Sequence, residues 1–193
     1  AVFTEIDAVC RTFAEKEKIP GVVVGVVEGG ELRHVTALGL ADREASRVVT
    51  RATAFRIASM TKPIVTTAAM MLVEQGKLRL NDLVSTWLPE LKNLKVETAQ
   101  GDVDLVRPLL VHDLMRHTAG LVYAGGTKSE RIRKLYNELN IESREIDISG
   151  DEMLRNLGQI PLAHQPGTFW EYSIAVDVLG LLLERVAQQP LDD

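Results

Sequence analysis

The strongest constraint in this sequence is a predicted β-hairpin whose two strands are too few to form a stable sheet. Residues 21–28, GVVVGVVE, form a β-branched run of strand length, and residues 31–42 return as a second strand. Gly29-Gly30 between them suits a two-residue turn in which both central positions take positive φ. Because an isolated hairpin is only marginally stable in water, the sheet needs at least one more strand. No other clear strand follows, so we expect the rest of the sheet to come from outside these residues, from the same polypeptide or a second chain.

Helical patterns occupy most of the remaining sequence. Apolar residues spaced three and four apart predict a helix over residues 4–18. Residues 43–58 are predicted to form a loop before a second helix over residues 59–75, which is apolar nearly all round and is therefore expected to be buried on every side. Further helices are predicted over residues 81–87, 111–117, 130–140, 151–157 and 174–188.

Composition and charge exclude several classes of function. The chain has 22 Lys and Arg against 27 Asp and Glu, a net charge of −5, so no nucleic-acid partner is expected. The longest nearly apolar run, residues 63–73, is too short to cross a bilayer, and no membrane partner is expected. One cysteine and four scattered histidines predict neither a disulfide nor a metal site, and no cofactor is expected. The first residues lack a signal-peptide pattern, which favours the cytoplasm and leaves the periplasm open if a leader has been removed.

One short motif carries candidate chemistry, Ser59-Met60-Thr61-Lys62. The spacing of three places Ser59 and Lys62 on the same helix face. The helix N-terminus carries about half a positive charge, which favours an oxyanion beside Ser59. That charge and burial together disfavour the lysine ammonium, so Lys62 is expected to be neutral enough to act as a base.

A structural alternative is that Ser59 or Thr61 is a plain N-cap and Lys62 a solvated residue of the first turn. A lysine beside the positive end of a helix is electrostatically unfavourable, which argues against this alternative.

Four collinear segments resemble the serine β-lactamase and penicillin-binding-protein superfamily, and they are most similar to class C β-lactamases and family VIII carboxylesterases. The segments are FRIASMTKP (55–63), MLVEQGKLRLND (71–82), VHDLMRHTAGL (111–121) and PGTFWEYS (166–173). The resemblance implies an α/β (α+β) fold of the β-lactamase type, in which helices flank an antiparallel sheet beside a mainly helical subdomain. Residues 1–58 would then supply the first helix and hairpin of the sheet domain. Residues 59–193 would supply the nucleophile helix and the helical subdomain, returning toward the sheet domain after residue 174.

The resemblance implies that Tyr172 is a third catalytic residue beside Ser59 and Lys62. A phenol near a lysine ammonium ionises more easily, so Tyr172 would relay the proton between Ser59 and the leaving group. The three side chains are therefore expected to converge on one cavity. Tyr123, Trp170 and Ile174 are expected to contact the substrate. For Tyr123 the alternative is an exposed loop tyrosine, and for Trp170 it is a packing tryptophan.

Two departures from the family pattern bear on activity. Ile174 stands where β-lactamases and peptidases of the superfamily carry Asn, and its lack of a polar group for the substrate favours esters over β-lactams. A Lys-Thr-Gly-like or Trp-x-Gly-like triplet on a later strand does not follow Pro190. The second oxyanion-hole N–H, which that strand supplies in the family, is therefore expected from outside these residues.

We therefore expect a serine hydrolase that cleaves carboxylic esters through an acyl-enzyme, with weak hydrolysis of β-lactams left open as an additional activity. Its partners would be a small-molecule ester or β-lactam and the polypeptide that completes the sheet. A β-lactamase or D,D-peptidase is the alternative enzyme. A non-catalytic binding module that keeps the fold is the alternative of another class.

Overall fold

A computed structural model of the protein describes residues 2–16, 19–143 and 146–192. The chain forms two units, Ala1–Ile57 and Ala58–Asp193. The helices are α1 (Val2–Lys16), α2 (Thr61–Glu74), α3 (Val84–Trp87), α4 (Val111–Met115), α5 (Glu130–Glu138), α6 (Gly150–Leu157) and α7 (Ala175–Ala187). The strands are β1 (Gly21–Glu28), β2 (Glu31–Asp42), β3 (Arg47–Val48), β4 (Lys95–Thr98) and β5 (Gly101–Asp104).

The first unit contains α1 and an antiparallel sheet in the order β1-β2-β3. The predicted hairpin is confirmed in both strands, and Gly29 and Gly30 have φ of +59° and +81°, as the two-residue turn requires. Helix α1 begins two residues before its predicted start, and the last two residues of that prediction, 17 and 18, lie outside the described residues.

A third strand lies within the segment that was predicted to be a loop. Strand β3 pairs with β2 through Leu40–Val48 and Asp42–Arg47, so the sheet has three strands where the sequence predicted two. Asp42 shapes the connecting turn, because its carboxylate accepts the backbone N–H of Ala45 at 2.9 Å. Two residues are too short to show a period-2 pattern, which explains why the sequence analysis missed this strand.

The second unit packs its helices around α7, which contacts α2, α3 and α4. Helix α2 buries Val65, Ala69 and Leu72 on one face, whereas Ile64 and Met71 are 60% and 54% exposed. The expectation that this helix is buried all round is therefore wrong for this chain. The contacts with α7 cover one face of α2, and apolar composition alone does not specify how many faces find a partner.

Local sequence signals account for the ends of several helices. Ser129 and Ser149 cap α5 and α6, because each side-chain oxygen accepts a backbone N–H three residues later, at 3.0 and 3.2 Å. Gly76 follows α2 with φ of +71°, as a C′ glycine does. The β4–β5 hairpin was not predicted, since its eight residues include only two valines and carry little apolar alternation.

A buried carboxylate fixes the segment around α4. Asp113 is 0% exposed and accepts hydrogen bonds from both terminal nitrogens of Arg107, at 2.7 and 2.8 Å. It also accepts from the Leu110 backbone N–H at 3.1 Å and from the Thr118 hydroxyl at 2.9 Å. Burial raises the pKa of Asp113, but these donors outweigh burial and hold its pKa below the ordinary value. The carboxylate thus stays ionised inside the protein and links α4 to Arg107, Leu110 and Thr118.

No helix within the described portion of the chain is both long and apolar enough to cross a membrane.

We expect Asp113→Ala to lower the free energy of unfolding by about 3–5 kcal/mol, because it leaves the Arg107 guanidinium without its buried partner. Urea unfolding followed by tryptophan fluorescence measures this, since Trp87 and Trp170 both lie in the second unit. Because folding lowers the pKa of Asp113, its carboxylate stabilises the wild type fully at pH values above the ordinary aspartate pKa. This stabilisation is lost as the pH falls through the lowered pKa.

A matched control is Asp151→Ala, which breaks an exposed ion pair with Arg185 at 2.9 Å. It is expected to cost less than about 1 kcal/mol. Equal losses for Asp113→Ala and Asp151→Ala would contradict the importance given to the buried carboxylate.

Candidate active site

Ser59 lies at the entrance to α2, in a single 3₁₀ turn over Ala58–Met60 that leads directly into the helix. The preceding residue, Ala58, has φ of +46°, a left-handed conformation that is uncommon for a residue with a β-carbon. Such strained positions cluster at functional sites, where the surrounding structure holds them. The Ser59 side chain is thereby exposed at the positive end of α2.

Lys62 lies one helical turn further on and reaches back toward Ser59. Its Nζ donates hydrogen bonds to the Ser59 Oγ at 3.4 Å and to the Tyr123 phenolic oxygen at 3.0 Å. The same Nζ lies 5.0 Å from the ring centroid of Tyr172 and 5.6 Å from that of Tyr123. These distances are in the range of cation–π contacts.

Two phenols from distant parts of the sequence therefore surround one lysine. Tyr123 is supplied by the loop after α4 and Tyr172 by the segment before α7, and their ring centroids lie 5.6 Å apart. The structure brings together Ser59, Lys62 and Tyr172. It also adds Tyr123 as a direct partner of the lysine, a contact that the sequence analysis did not anticipate.

The charge state of Lys62 differs from the expectation. Partial burial lowers its pKa, but the hydrogen bonds with Tyr123 and Tyr172 outweigh burial and raise the pKa above the ordinary value. Lys62 is therefore an ammonium in the resting site rather than a neutral base. The sequence analysis weighed burial and the helix N-terminus, and it did not foresee two hydroxyl groups that stabilise the charged form.

The two phenols have pKa shifts of opposite sign. The hydrogen bond with Ser59, followed by the interaction with Lys62, lowers the pKa of Tyr172. Burial raises the pKa of Tyr123, and the hydrogen bond with Lys62 does not compensate fully. Groups whose environments push their pKa values apart are suited to different roles in proton transfer. Tyr172 is the phenol suited to accept a proton from Ser59, and Tyr123 is the one suited to remain protonated.

A cavity of about 380 Å³ opens beside Ser59 and Lys62. Val65, Val176 and Leu191 give it apolar walls, and Tyr123 and Asp177 give it polar ones. Asp177 is exposed and sits on a helix whose neighbouring positions are buried, and its charge acts on both Lys62 and Tyr123. Across residues 2–16, 19–143 and 146–192 there is no cluster of three His, Cys, Asp or Glu side chains suited to a metal ion.

Two other residues proposed to bind substrate lie elsewhere. Trp170 is 62% exposed and lines a neighbouring cavity of about 460 Å³ together with Tyr172 and Phe169. Tyr172 does not line the cavity at Ser59 and Lys62, so the three side chains lie close together but do not share one cavity as expected. Ile174 is 3% exposed and packs in the hydrophobic core at the start of α7. The expectation that Ile174 contacts substrate is therefore corrected, because its side chain is committed to core packing and does not line the cavity at Ser59.

Known proteins match this chain over nearly its whole length. The family model described as Beta-lactamase matches residues 6–193. Esterase EstB of Burkholderia gladioli is 40% identical over 190 residues, which cover 96% of this chain and 46% of that protein.

Solved structures show the same architecture. EstCE1, described as a hydrolase with promiscuous acyltransferase activity, superposes with a TM-score of 0.82 at 36% identity, over 97% of this chain and 48% of that one. A class C β-lactamase superposes with a TM-score of 0.72 at 23% identity, over 97% of this chain and 45% of that one, and this similarity bears on the fold alone. The chain thus spans about half the length of the relatives it matches.

We expect Tyr123→Phe to lower the pKa of Lys62, because the variant removes the oxygen that accepts a hydrogen bond from the ammonium. Titration of the lysine side chain by NMR measures the change. Thr67→Ala on the exposed side of the same helix, where the hydroxyl donates a hydrogen bond to the Pro63 carbonyl, is the control and should leave the Lys62 pKa unchanged. An unaltered Lys62 pKa in Tyr123→Phe would contradict the assigned hydrogen bond.

Proposed function

The chain belongs to the β-lactamase family, and on that premise we propose that its Ser59 site is that of a serine hydrolase cleaving carboxylic esters through an acyl-enzyme. The observation that carries the proposal is the convergence of the Ser59 hydroxyl, the Lys62 ammonium and the Tyr172 phenol. A nucleophile whose proton has an acceptor within reach, beside a fixed positive charge, is the arrangement that acyl transfer requires.

Acylation begins with proton transfer from Ser59 to Tyr172. In its ionised form the Tyr172 oxygen takes the proton of the Ser59 hydroxyl as that oxygen attacks the ester carbonyl carbon. Lys62 stabilises the phenolate before this transfer, and the N-terminus of α2 stabilises the oxyanion that forms on the substrate. The tetrahedral intermediate collapses by breaking the bond to the alcohol oxygen. Tyr172 returns the proton to that oxygen, which leaves as the alcohol.

Deacylation repeats the sequence with water. Tyr172 takes a proton from a water molecule, whose oxygen attacks the acyl carbon bound to Ser59. The second tetrahedral intermediate expels the Ser59 oxygen, which recovers its proton from Tyr172, and the carboxylic acid leaves. The balanced outcome is ester plus water giving acid plus alcohol, and the site returns to its starting state.

The substrate proposal rests on the cavity and on the relatives. Apolar walls and a volume of about 380 Å³ suit a short acyl chain, and the relative at 40% identity is named as an esterase. Ile174 no longer supports the ester assignment, since its side chain is buried in the core.

We propose that the backbone N–H of Ser59 is one oxyanion donor. The relatives are about twice as long as the part that aligns with this chain. The second donor, and the strands that complete the sheet, would therefore come from sequence outside these residues. Either the rest of the same polypeptide or a second chain would supply them.

Tyr172→Phe and Lys62→Ala should each lower kcat/KM for 4-nitrophenyl butyrate by at least about 100-fold in the full-length protein, because general acid–base catalysis is worth about that much or more. Mass spectrometry after treatment with a fluorophosphonate would show labelling of Ser59 in the wild type and little in either variant. Circular dichroism should be unchanged. Rapid labelling of Lys62→Ala would remove the lysine from the mechanism, and an unlabelled wild type would favour a non-catalytic binding module.

The esterase and β-lactamase alternatives predict opposite preferences. Comparing 4-nitrophenyl butyrate with a chromogenic cephalosporin in the same full-length protein should give the higher kcat/KM for the ester. A preference for the cephalosporin of about 100-fold would replace the esterase assignment with that of a β-lactamase.

The activity should show a bell-shaped dependence on pH. The rate rises as Tyr172 deprotonates, at a pH below the ordinary tyrosine value of about 10 because its pKa is lowered. The rate falls again when Lys62 loses its proton at a raised pKa. Steady-state kinetics across pH measure both limbs, and Tyr123→Phe should move the alkaline limb to lower pH. A rate that declines steadily from neutral pH upward would contradict a tyrosinate base.

A further inference from the structure

The segment that carries Tyr172 is held from both sides by a single residue. The backbone carbonyl of His117 accepts the N–H of Glu171 at 2.9 Å. The imidazole Nδ1 of the same histidine accepts the backbone N–H of Ser173 at 3.2 Å. The residues immediately before and after Tyr172 are therefore both hydrogen-bonded to His117.

The imidazole also contacts the catalytic ring. Its centroid lies 4.7 Å from that of Tyr172, at an interplanar angle of 47°, while Trp170 approaches it edge-on at 6.2 Å. The hydroxyl of Ser173, which is 0% exposed, lies 3.4 Å from Nδ1 and accepts the N–H of Ala175 at the first residue of α7. His117 thus connects the Tyr172 segment to the start of α7.

The histidine is itself fixed in an unusual backbone conformation. His117 has φ of +58°, a left-handed value that favours glycine or asparagine, just after α4 ends. The next residue anchors it, because the Thr118 N–H donates to the Asp113 carbonyl at 3.0 Å. A strained residue held by its surroundings beside a reacting group is a candidate functional position.

The hydrogen bonds require a neutral imidazole. An Nδ1 that accepts an N–H carries no proton, so the ring proton is on Nε2. Partial burial, and then the positive charge of Lys62 on α2, lower the pKa of His117, while Asp177 on α7 acts in the opposite direction. The neutral form is therefore favoured at the pH where the site works.

We propose that His117 is a positioning residue for Tyr172, which holds the phenol against Lys62 and Ser59 through the acceptor Nδ1 and its backbone carbonyl without contacting the substrate. The inference rests on the proposed function and adds to it a residue that fixes the position of the Tyr172 phenol, the proton acceptor. Such a role lowers kcat when it is lost and leaves KM nearly unchanged, because the substrate contacts remain.

A pair of variants separates the acceptor from the rest of the side chain. His117→Asn keeps an acceptor oxygen near the place of Nδ1 and tolerates positive φ, whereas His117→Leu removes the acceptor. In the full-length protein we expect His117→Leu to lower kcat for 4-nitrophenyl butyrate by about 10- to 100-fold with KM unchanged, since a displacement of about 1 Å costs up to about 100-fold. His117→Asn should recover most of the loss. Equal losses in both variants would overturn the inference.

Repeating His117→Leu in the Tyr172→Phe background tests whether the effect passes through the phenol. The loss caused by His117→Leu should largely disappear there, because residues that act through one another are not additive. A similar loss in both backgrounds overturns the His117 inference and leaves the proposed function intact. If Tyr172→Phe by itself leaves the rate unchanged, the tyrosine mechanism fails together with the inference.

A measurement on the wild type covers the case in which His117→Leu does not fold. Long-range proton–nitrogen NMR correlations of the imidazole should show the Nε2–H tautomer and a pKa below the ordinary histidine value. A proton on Nδ1 at neutral pH would overturn the inference, since Nδ1 would then be unable to accept the Ser173 N–H.

Discussion

The buried carboxylate of Asp113 is the interaction on which the geometry of the site depends. The carboxylate has no access to solvent, and hydrogen bonds from Arg107, Arg116, the Leu110 backbone amide and the Thr118 hydroxyl together keep it ionised. Thr118 in turn accepts the N–H of Gly167, and His117 beside it accepts the N–H of Glu171. The buried Asp113 carboxylate therefore fixes the turn at His117 and Thr118, and the backbone of this turn is hydrogen-bonded to the segment that carries Tyr172.

The chemistry of the site follows from a difference in environment between two identical side chains. Tyr123 and Tyr172 both contact Lys62. Tyr123 is half-buried, whereas Tyr172 is 41% exposed and forms a hydrogen bond with Ser59. Desolvation dominates at Tyr123, whereas hydrogen bonding dominates at Tyr172. The lysine thus contacts two phenols in different states: Tyr172, whose pKa is lowered, and Tyr123, which burial keeps protonated although its hydrogen bond with Lys62 acts in the opposite direction.

Much of the local structure was predictable because it rests on short-range effects. The β1–β2 hairpin follows from β-branched residues around Gly29-Gly30, and the start of α6 from Ser149. The relation of Ser59 to Lys62 was equally accessible, since a spacing of three along a helix places both side chains on one face. The short strand β3 carried too little pattern to be recognised.

The sequence by itself determined the hairpin, most of the helices and the pairing of Ser59 with Lys62, because each depends on neighbours within a few residues. Only the tertiary structure decided that Tyr123, 61 residues from Lys62, is its hydrogen-bond partner, that the lysine is charged, and that Ile174 lies in the core. The physical reason is that pKa values and burial depend on which groups, distant in sequence, pack together and exclude water. The spacing of residues along the chain does not specify these tertiary contacts.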